Sequence, residues 1–536
     1  GLIAALILSI APTFSVRTSL GFCDTETVGF FSMILSLFLF ARALDRKPLL
    51  YGILSGLALG LMTVSWGAYL FLYNLYALFL IAALLLRRYD FNLGVAYVST
   101  ILVGVLSASF MPKLVKFVTS ISAFLPFFGI VLVVIAELYR RHRGSQIPPR
   151  LVLGIIVAVA ISGLALSYAG IIRALKGKFL AIVNPFAAVP PIIRTVGEQL
   201  PSTWATFFSD YRFLLLLMPI GLYFMIRRLQ KKDLLLALLG LSSIYVASSF
   251  VRLTIFTDLA VSLIGGAGFI YLMTRSISAM KYQELAKKGK KKSSPFRGYA
   301  LLSVAILVVL TVPSIAANVT SANMPAVIAA LPDWRDALAW MRDNLPPGAV
   351  VGSWWDYGYW INVMANKTTV ADNNTLNGTQ IKLLAIAFLS DEDVAIDVYR
   401  RLGIQYIVVY DPFYTGPALK GLPGMPWGTY GDFVKSFAMM SIAGYNSSDY
   451  INYGQFTVQG QTVYLLVPNG PKAANATLFK LLFYPWILYG DSDYLKKVEE
   501  EYGVKFTPPK HFELIYHSPN RWVMVYKVLY PEEGAS

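Results

Sequence analysis

Carboxylates are scarce in the first 316 residues, so those that interrupt an apolar context are candidates for chemistry. Asp24 and Glu26 stand two apart in SVRTSLGFCDTET. On a loop, that spacing can aim two carboxylates at one divalent cation, and oxygen ligands suit Mg²⁺ or Mn²⁺ rather than zinc. The same residues also suit a helix N-terminus, with Asp24 or Thr25 as the cap and acid favoured by the helix dipole. Glu198, in TVGEQLPSTW, fits a solvated loop as well as an active role. Arg17 and Arg252 flank apolar segments, where arginine either snorkels or presents its guanidinium fork to a phosphate or carboxylate. In Trp354-Trp355-Asp356-Tyr357-Gly358 two indoles stand beside one carboxylate. Gly352 and Gly358 bracket the segment and predict an exposed turn. A pair of core tryptophans is the structural alternative, and recognition of sugar or peptide is the functional one. The single cysteine, Cys23, excludes a disulfide framework and a thiolate metal cluster, and three histidines leave little for a His-rich site.

Positioning these residues falls to a chain of 536 residues that is 56% hydrophobic and only 14% charged, with mean hydropathy +0.58. Soluble chains carry about a quarter charged residues, so a wholly cytosolic enzyme is disfavoured and a disordered chain is excluded. The net charge of +16 divides into +20 for residues 1–316 and −4 for residues 317–536. Apolar runs near 27–44, 49–65, 67–86, 92–110, 118–138, 151–172, 212–227, 233–250, 254–274 and 298–316 are long enough for spanning helices. The basic clusters Arg42/Arg46/Lys47, Arg87/Arg88, Arg140/Arg141/Arg143, Arg227/Arg228/Lys231/Lys232 and Lys281–Arg297 all fall on one side when those spans alternate. That side is the cytoplasm. KKGKKKSSPFR (287–297) reads as a cytoplasmic loop touching anionic lipid, so no nucleic-acid partner is expected. Gly1 to Ala11 reads as the end of an earlier helix. With no initiator Met, the expectation is an N-terminally truncated chain.

The expected fold is therefore an α-helical polytopic membrane domain of about ten full spans plus a partial one, residues 1–316, with an external loop at 173–211. A mixed α/β extracytoplasmic domain follows at 317–536. There, LPDWRDALAWMRDNLPPG predicts an amphipathic helix through Trp334, Leu338, Met341 and Leu345, and AVVGSWW, IQYIVVY and TVYLLVP predict strands. Six Asn-X-Ser/Thr triplets, at Asn318, Asn366, Asn373, Asn377, Asn446 and Asn475, suit an outer face where glycans are attached.

With these residues in place the chain resembles the catalytic subunit of oligosaccharyltransferase, most closely the archaeal single-subunit form. WWDYG at 354–358 matches the family's signature pentapeptide. Asp432, Lys435, Met439 and Ile442 match its Asp-x-x-Lys-x-x-x-Met-x-x-Ile element. Asp24-x-Glu26 matches the second acidic motif, Arg17 an arginine at the lipid-linked phosphate, Glu198 the glutamate of the mobile external loop, and Arg252 an arginine near the acceptor peptide. Ser65-Trp66-Gly67 also resembles a family segment, whereas Gln199 stands where histidine is common. The family has thirteen transmembrane helices and a first acidic ligand in a region absent here, so the resemblance implies a fragment inactive alone.

The resemblance implies inverting, metal-dependent transfer of an oligosaccharide from a dolichyl phosphate or diphosphate to the asparagine of an Asn-X-Ser/Thr sequon, at the outer face of the cell membrane. Asp24, Glu26 and Glu198 would surround Mn²⁺ or Mg²⁺, and Arg17 would bind the lipid phosphate. Asp24 and Glu198 would orient the acceptor amide. Trp354, Trp355 and Asp356 would grip the sequon hydroxyl, Ile442 the threonine methyl, and Arg252 an upstream acid. Loop 173–211 would act as a lid. The partners implied are the lipid-linked oligosaccharide, the acceptor polypeptide and the bilayer, with a single subunit. The alternatives are another polyprenyl-phosphate-sugar membrane glycosyltransferase, which has no use for a Ser/Thr pocket, and a transporter, which would show related halves.

Overall fold

The computed structural model describes residues 1–18, 25–110, 123–168, 198, 200–274, 296–322, 332–375, 377–412, 431–458, 461–489 and 493–532. Asp24 therefore lies outside the described residues, as does most of the expected lid. Two compact units are formed, one within Gly1–Val189 and Gly197–Met324, the other within Pro325–Ser536.

The first unit is helical. Helices Glu26–Ala43, Pro48–Ser65, Tyr69–Leu85, Phe91–Ser107, Phe124–Arg143, Pro149–Tyr168, Lys231–Ser249 and Phe296–Ala322, and the continuous segments Trp204–Arg228 and Val251–Thr274, each overlap one expected span. Among the described residues, five helical segments are both long and apolar enough to cross a membrane. Two expectations shift. The N-terminal stretch is two short helices, Leu2–Ser9 and Pro12–Thr18, rather than the end of one. The expected loop 173–211 closes with a helix, Trp204–Tyr211, whose N-terminus is held by a reciprocal Thr203–Thr206 capping box.

Local chemistry sets the boundaries. Asp90 accepts from the Leu93 N–H at 2.9 Å and starts Phe91–Ser107, while Gly144, at φ 66°, stops Phe124–Arg143. Lipid offers helices little hydrophobic drive to associate, so small residues carry the contact. A Cβ on Gly56 would meet Val103 Cβ at 2.7 Å and the Thr100 carbonyl at 2.8 Å. Phe31, Phe38, Leu57 and Leu106 point outward, bare of protein, as an apolar solvent permits. The two ends of the unit differ. Asp45 pairs with Lys232 and Asp90 with Lys231, where the basic clusters lie. Glu26 opens the other end of Glu26–Ala43, and Arg252 follows the far end of Lys231–Ser249.

The second unit is α/β. Strands β1 (Val350–Gly352), β2 (Thr368–Thr369), β3 (Tyr406–Tyr410), β6 (Phe512–His517) and β7 (Val523–Val528) form one sheet in the order β2-β1-β3-β7-β6. β2, β1 and β3 run parallel, and β3, β7 and β6 antiparallel, with Val408 opposite Val525. A separate hairpin pairs β4 (Ile451–Val458) with β5 (Gln461–Pro468). The amphipathic helix is Pro332–Asn344, and Trp334, Leu338 and Met341 are buried as its spacing predicts.

Candidate functional site

In the helical unit, four charged side chains from distant parts of the chain close a ring. Arg17 lies in the last turn of Pro12–Thr18. Glu26 is the first residue of Glu26–Ala43, with Thr25 at the N-cap, so the helix dipole favours its charge. Arg252 follows the end of Lys231–Ser249 in a single 3₁₀ turn. Glu198 is brought to it by an anchored strap: the Val251 N–H donates to the Leu200 carbonyl at 2.9 Å, and Ser202 donates to the Ala247 and Ser248 carbonyls.

Arg17 Nη1 donates to Glu26 Oε2 at 2.8 Å, and its Nη2 to Glu198 Oε1 at 3.2 Å. Arg252 Nε donates to Glu26 Oε1 at 2.8 Å, and its Nη1 lies 3.5 Å from Glu198 Oε2. Each arginine thus bridges both carboxylates. Glu26 is wholly buried, and a buried carboxylate keeps its charge only when paired. Four residues that the sequence assigned to three different tasks therefore hold one another.

Among the described residues no three His, Cys, Asp or Glu side chains gather. Glu26 and Glu198 converge on the same arginines, however, and Asp24 is two residues from Glu26 in sequence. This donor set is carboxylate oxygen throughout, which fits a hard divalent cation and not a thiolate- or imidazole-seeking one.

In the second unit the signature segment follows β1, and helix Asp432–Ala443 begins beyond the end of β3, so both sit at the carboxyl ends of parallel strands, where α/β folds place ligands. The 432, 435, 439, 442 spacing is one face of that helix. Tyr357 Oη donates to Asp432 Oδ1 at 2.7 Å, the Tyr410 N–H donates to Asp432 Oδ2 at 2.9 Å, and Lys435 Nζ reaches Tyr357 Oη at 3.1 Å and Asp356 Oδ2 at 2.5 Å. Burial pushes the Asp432 carboxyl up to about 6 against the opposing pull of Lys435 and the Tyr357 and Tyr410 hydrogen bonds. Burial, then the Asp432 charge, pushes the Tyr357 phenol well above its ordinary range.

The glycine bracket is not an exposed turn. Trp354 is 1% exposed, Trp355 6% and Tyr357 2%. A Cβ on Gly358 would meet the Ala371 carbonyl at 2.4 Å, so this glycine permits close backbone approach instead. The two indoles lie 6.2 Å apart at 49°. Trp355 Nε1 is buried with no hydrogen-bond partner among the described residues. Met439 is core, and Ile442 is half-buried against it.

Comparison with known proteins gives the family. Residues 1–264 match the N-terminal oligosaccharyl transferase STT3 model, and residues 347–412 match the STT3/PglB/AglB core domain. The chain belongs to the STT3 family of oligosaccharyltransferases. The STT3B subunit of dolichyl-diphosphooligosaccharide–protein glycosyltransferase from Arabidopsis thaliana is 28% identical over 99% of this chain and 77% of its own length. The STT3 subunit from Dictyostelium discoideum is 27% identical over 90% of this chain and 69% of its own. The Archaeoglobus fulgidus oligosaccharyltransferase AglB, solved with an inhibitory peptide and a dolichol-phosphate, shares the fold with TM-score 0.72 at 17% identity, over 98% of this chain and 74% of that one. STT3 relatives are glycosyltransferases, and the apolar helices make this member a multi-pass membrane protein.

Three positions escaped the sequence reading. Asn373, noted only as a sequon, clamps the signature turn: its Nδ2 donates to the Asp356 carbonyl at 3.0 Å, and its Oδ1 accepts from the Tyr359 N–H at 3.3 Å. Asp210 and Asp258 are buried in the helical unit, so its acids are not confined to helix ends. The signal for Asp258 was in the sequence, as an isolated acid inside the apolar run 254–274, whereas Asp210 fell in the expected loop 173–211.

Proposed function

We propose that this chain transfers an oligosaccharide en bloc from a polyprenyl (dolichyl) phosphate or diphosphate to the side-chain amide of Asn in Asn-X-Ser/Thr, with inversion at the anomeric carbon. The observation that carries the reading is the convergence of Arg17, Glu26, Glu198 and Arg252 at one end of the helical unit. The relatives named above are subunits of the dolichyl-diphosphooligosaccharide enzyme, and AglB was solved with dolichol-phosphate and, separately, tethered to a peptide containing the NVT sequon.

A carboxamide nitrogen has its lone pair delocalised and is almost non-basic, so the donor must carry a good leaving group. Asp24, Glu26 and Glu198 would hold Mn²⁺ or Mg²⁺, which neutralises charge developing on a leaving phosphate. Arg17 would lend its charge to the same phosphate while staying paired with Glu26 and Glu198. Asp24 and Glu198 accept hydrogen bonds from the acceptor NH₂ and orient its nitrogen. Trp355 offers an indole N–H unpaired among the described residues and Asp356 an acceptor carboxylate, together a match for a Ser/Thr hydroxyl. Trp354 walls that pocket, Ile442 meets the threonine methyl, and Arg252 takes an acidic residue upstream of Asn. Tyr357, Gly358, Asp432, Lys435 and Met439 support the pocket. The site works on the extracytoplasmic face of the cell membrane, within a single subunit, under the lid 173–211.

The test incubates the full chain in nanodiscs with lipid-linked oligosaccharide, Mn²⁺ and a labelled Asn-X-Thr peptide beside an Asn-X-Ala control. Glycopeptide from the first alone supports the reading. Equal modification of both, or sugar released only to water, overturns it.

A further inference from the structure

We propose that Arg252 is a built-in stand-in for the divalent cation: it holds Glu26 and Glu198 while no cation is bound, and cation binding expels it. The inference rests on the metal reading of this site. Arg252 takes the position a bridging cation would need, because it contacts the Oε1 of Glu26 and lies against the Oε2 of Glu198, one oxygen from each carboxylate. The remaining oxygen of each faces Arg17. Among these four side chains the charges balance.

Balance explains why a placeholder is required. Glu26 is 0% exposed, and an unpaired buried carboxylate is costly enough to protonate or to distort its surroundings. Among these side chains, adding a doubly charged ion would leave two excess positive charges in a half-buried site and exchanging it for Arg252 only one, so exchange is favoured over addition. The two arginines are unequal candidates for leaving. The Arg17 side chain is 9% exposed and stays as counter-ion, whereas that of Arg252 is 35% exposed and has solvent to move into.

Exchange has a functional consequence. An expelled guanidinium released from Glu26 and Glu198 can take an anion, so cation binding switches on affinity for an acidic peptide side chain. Cation should therefore load before acceptor.

The experiment measures Mn²⁺ affinity of the full chain in nanodiscs by EPR of free Mn²⁺, without donor or peptide. R252Q should bind Mn²⁺ roughly three- to tenfold more tightly than wild type, the scale expected for losing one competing ion pair. R252K, which keeps the charge but cannot span both carboxylates, should change in the same direction by less. It serves as the readout if R252Q fails to fold. Mn²⁺ should also raise the wild type's preference for an Asp-X-Asn-X-Thr over an Ala-X-Asn-X-Thr peptide, and should not do so for R252Q. Unchanged or weaker Mn²⁺ binding by both Arg252 variants overturns the proposal, since Arg252 would then be holding the carboxylates in place for the cation. The metal reading fails separately: E26Q and E198Q would both bind Mn²⁺ like wild type.

Discussion

Lys435 and Asp356 are joined at 2.5 Å, and the same ammonium lies 4.4 Å from the centroid of the Tyr357 ring. One lysine thus fixes both polar members of the signature segment. K435M removes the ion pair and the hydrogen bond to Tyr357 while keeping the stem. The Asp356 carboxylate then loses its fixed orientation, and KM for a sequon peptide should rise about tenfold, the weight of one charge-assisted hydrogen bond. Peptide titrations at saturating donor check this, with little change expected in the apparent affinity for donor.

Trp355 contributes an N–H that no described residue accepts. W355A should weaken acceptor-peptide binding and leave lipid-donor binding intact, as read by separate binding titrations. Equal loss of both would mean that the indole serves only the core.

Asp432 makes the stability of the second unit depend on pH. Its folded carboxyl is raised from 3.8 to about 6, so the folded state favours the protonated form. That contribution is fully present below about pH 4 and is lost as pH rises through 6. At about 1.4 kcal/mol per unit the swing is on the order of 2–3 kcal/mol. D432N should flatten this part of the profile: thermal melts of wild type fall between pH 4 and 6.5 relative to the variant.

Gly358 is fixed by backbone, not by a flexible neighbour. Its added Cβ would stand 2.4 Å from the Ala371 carbonyl and 2.5 Å from Asp372 Cα. G358A should destabilise the second unit by about 2 kcal/mol or more, seen as a lower Tm. Helix Gly358–Met364 has no other demand for glycine, so the Asn373 clamp should break with it.

The helical unit was legible because lipid dictates the period and length of its runs, and every expected span met a helix. Trp204–Tyr211 was hidden by its cap, since Thr203 pairs with Thr206 rather than with the glutamate or glutamine that usually marks such a box. Gly352 and Gly358 misled because glycine serves an exposed turn and a close approach equally well. Arg17, Glu26, Glu198 and Arg252 were each recognisable, but their mutual pairing was not. Arg17 and Glu198 are 181 residues apart, and Glu26 and Arg252 are 226 apart. No local pattern reports a contact at that separation.

Glu26 and Glu198 share their partners but not their surroundings, and that difference predicts two phenotypes. The Glu26 side chain is 0% exposed and accepts from two guanidinium groups, while that of Glu198 is 43% exposed. E26Q leaves Arg17 buried with a neutral neighbour, a change worth about 3 kcal/mol when a buried pair loses one member. E198Q breaks pairs that water already screens, worth under about 1 kcal/mol. Both variants should lose turnover, because both carboxylates are proposed to act in the reaction. Only E26Q should also lower the Tm of the full chain markedly. Thermal melts beside initial rates decide this: equal Tm losses would place Glu198 among the structural residues, and unchanged turnover in E198Q would remove it from the chemistry.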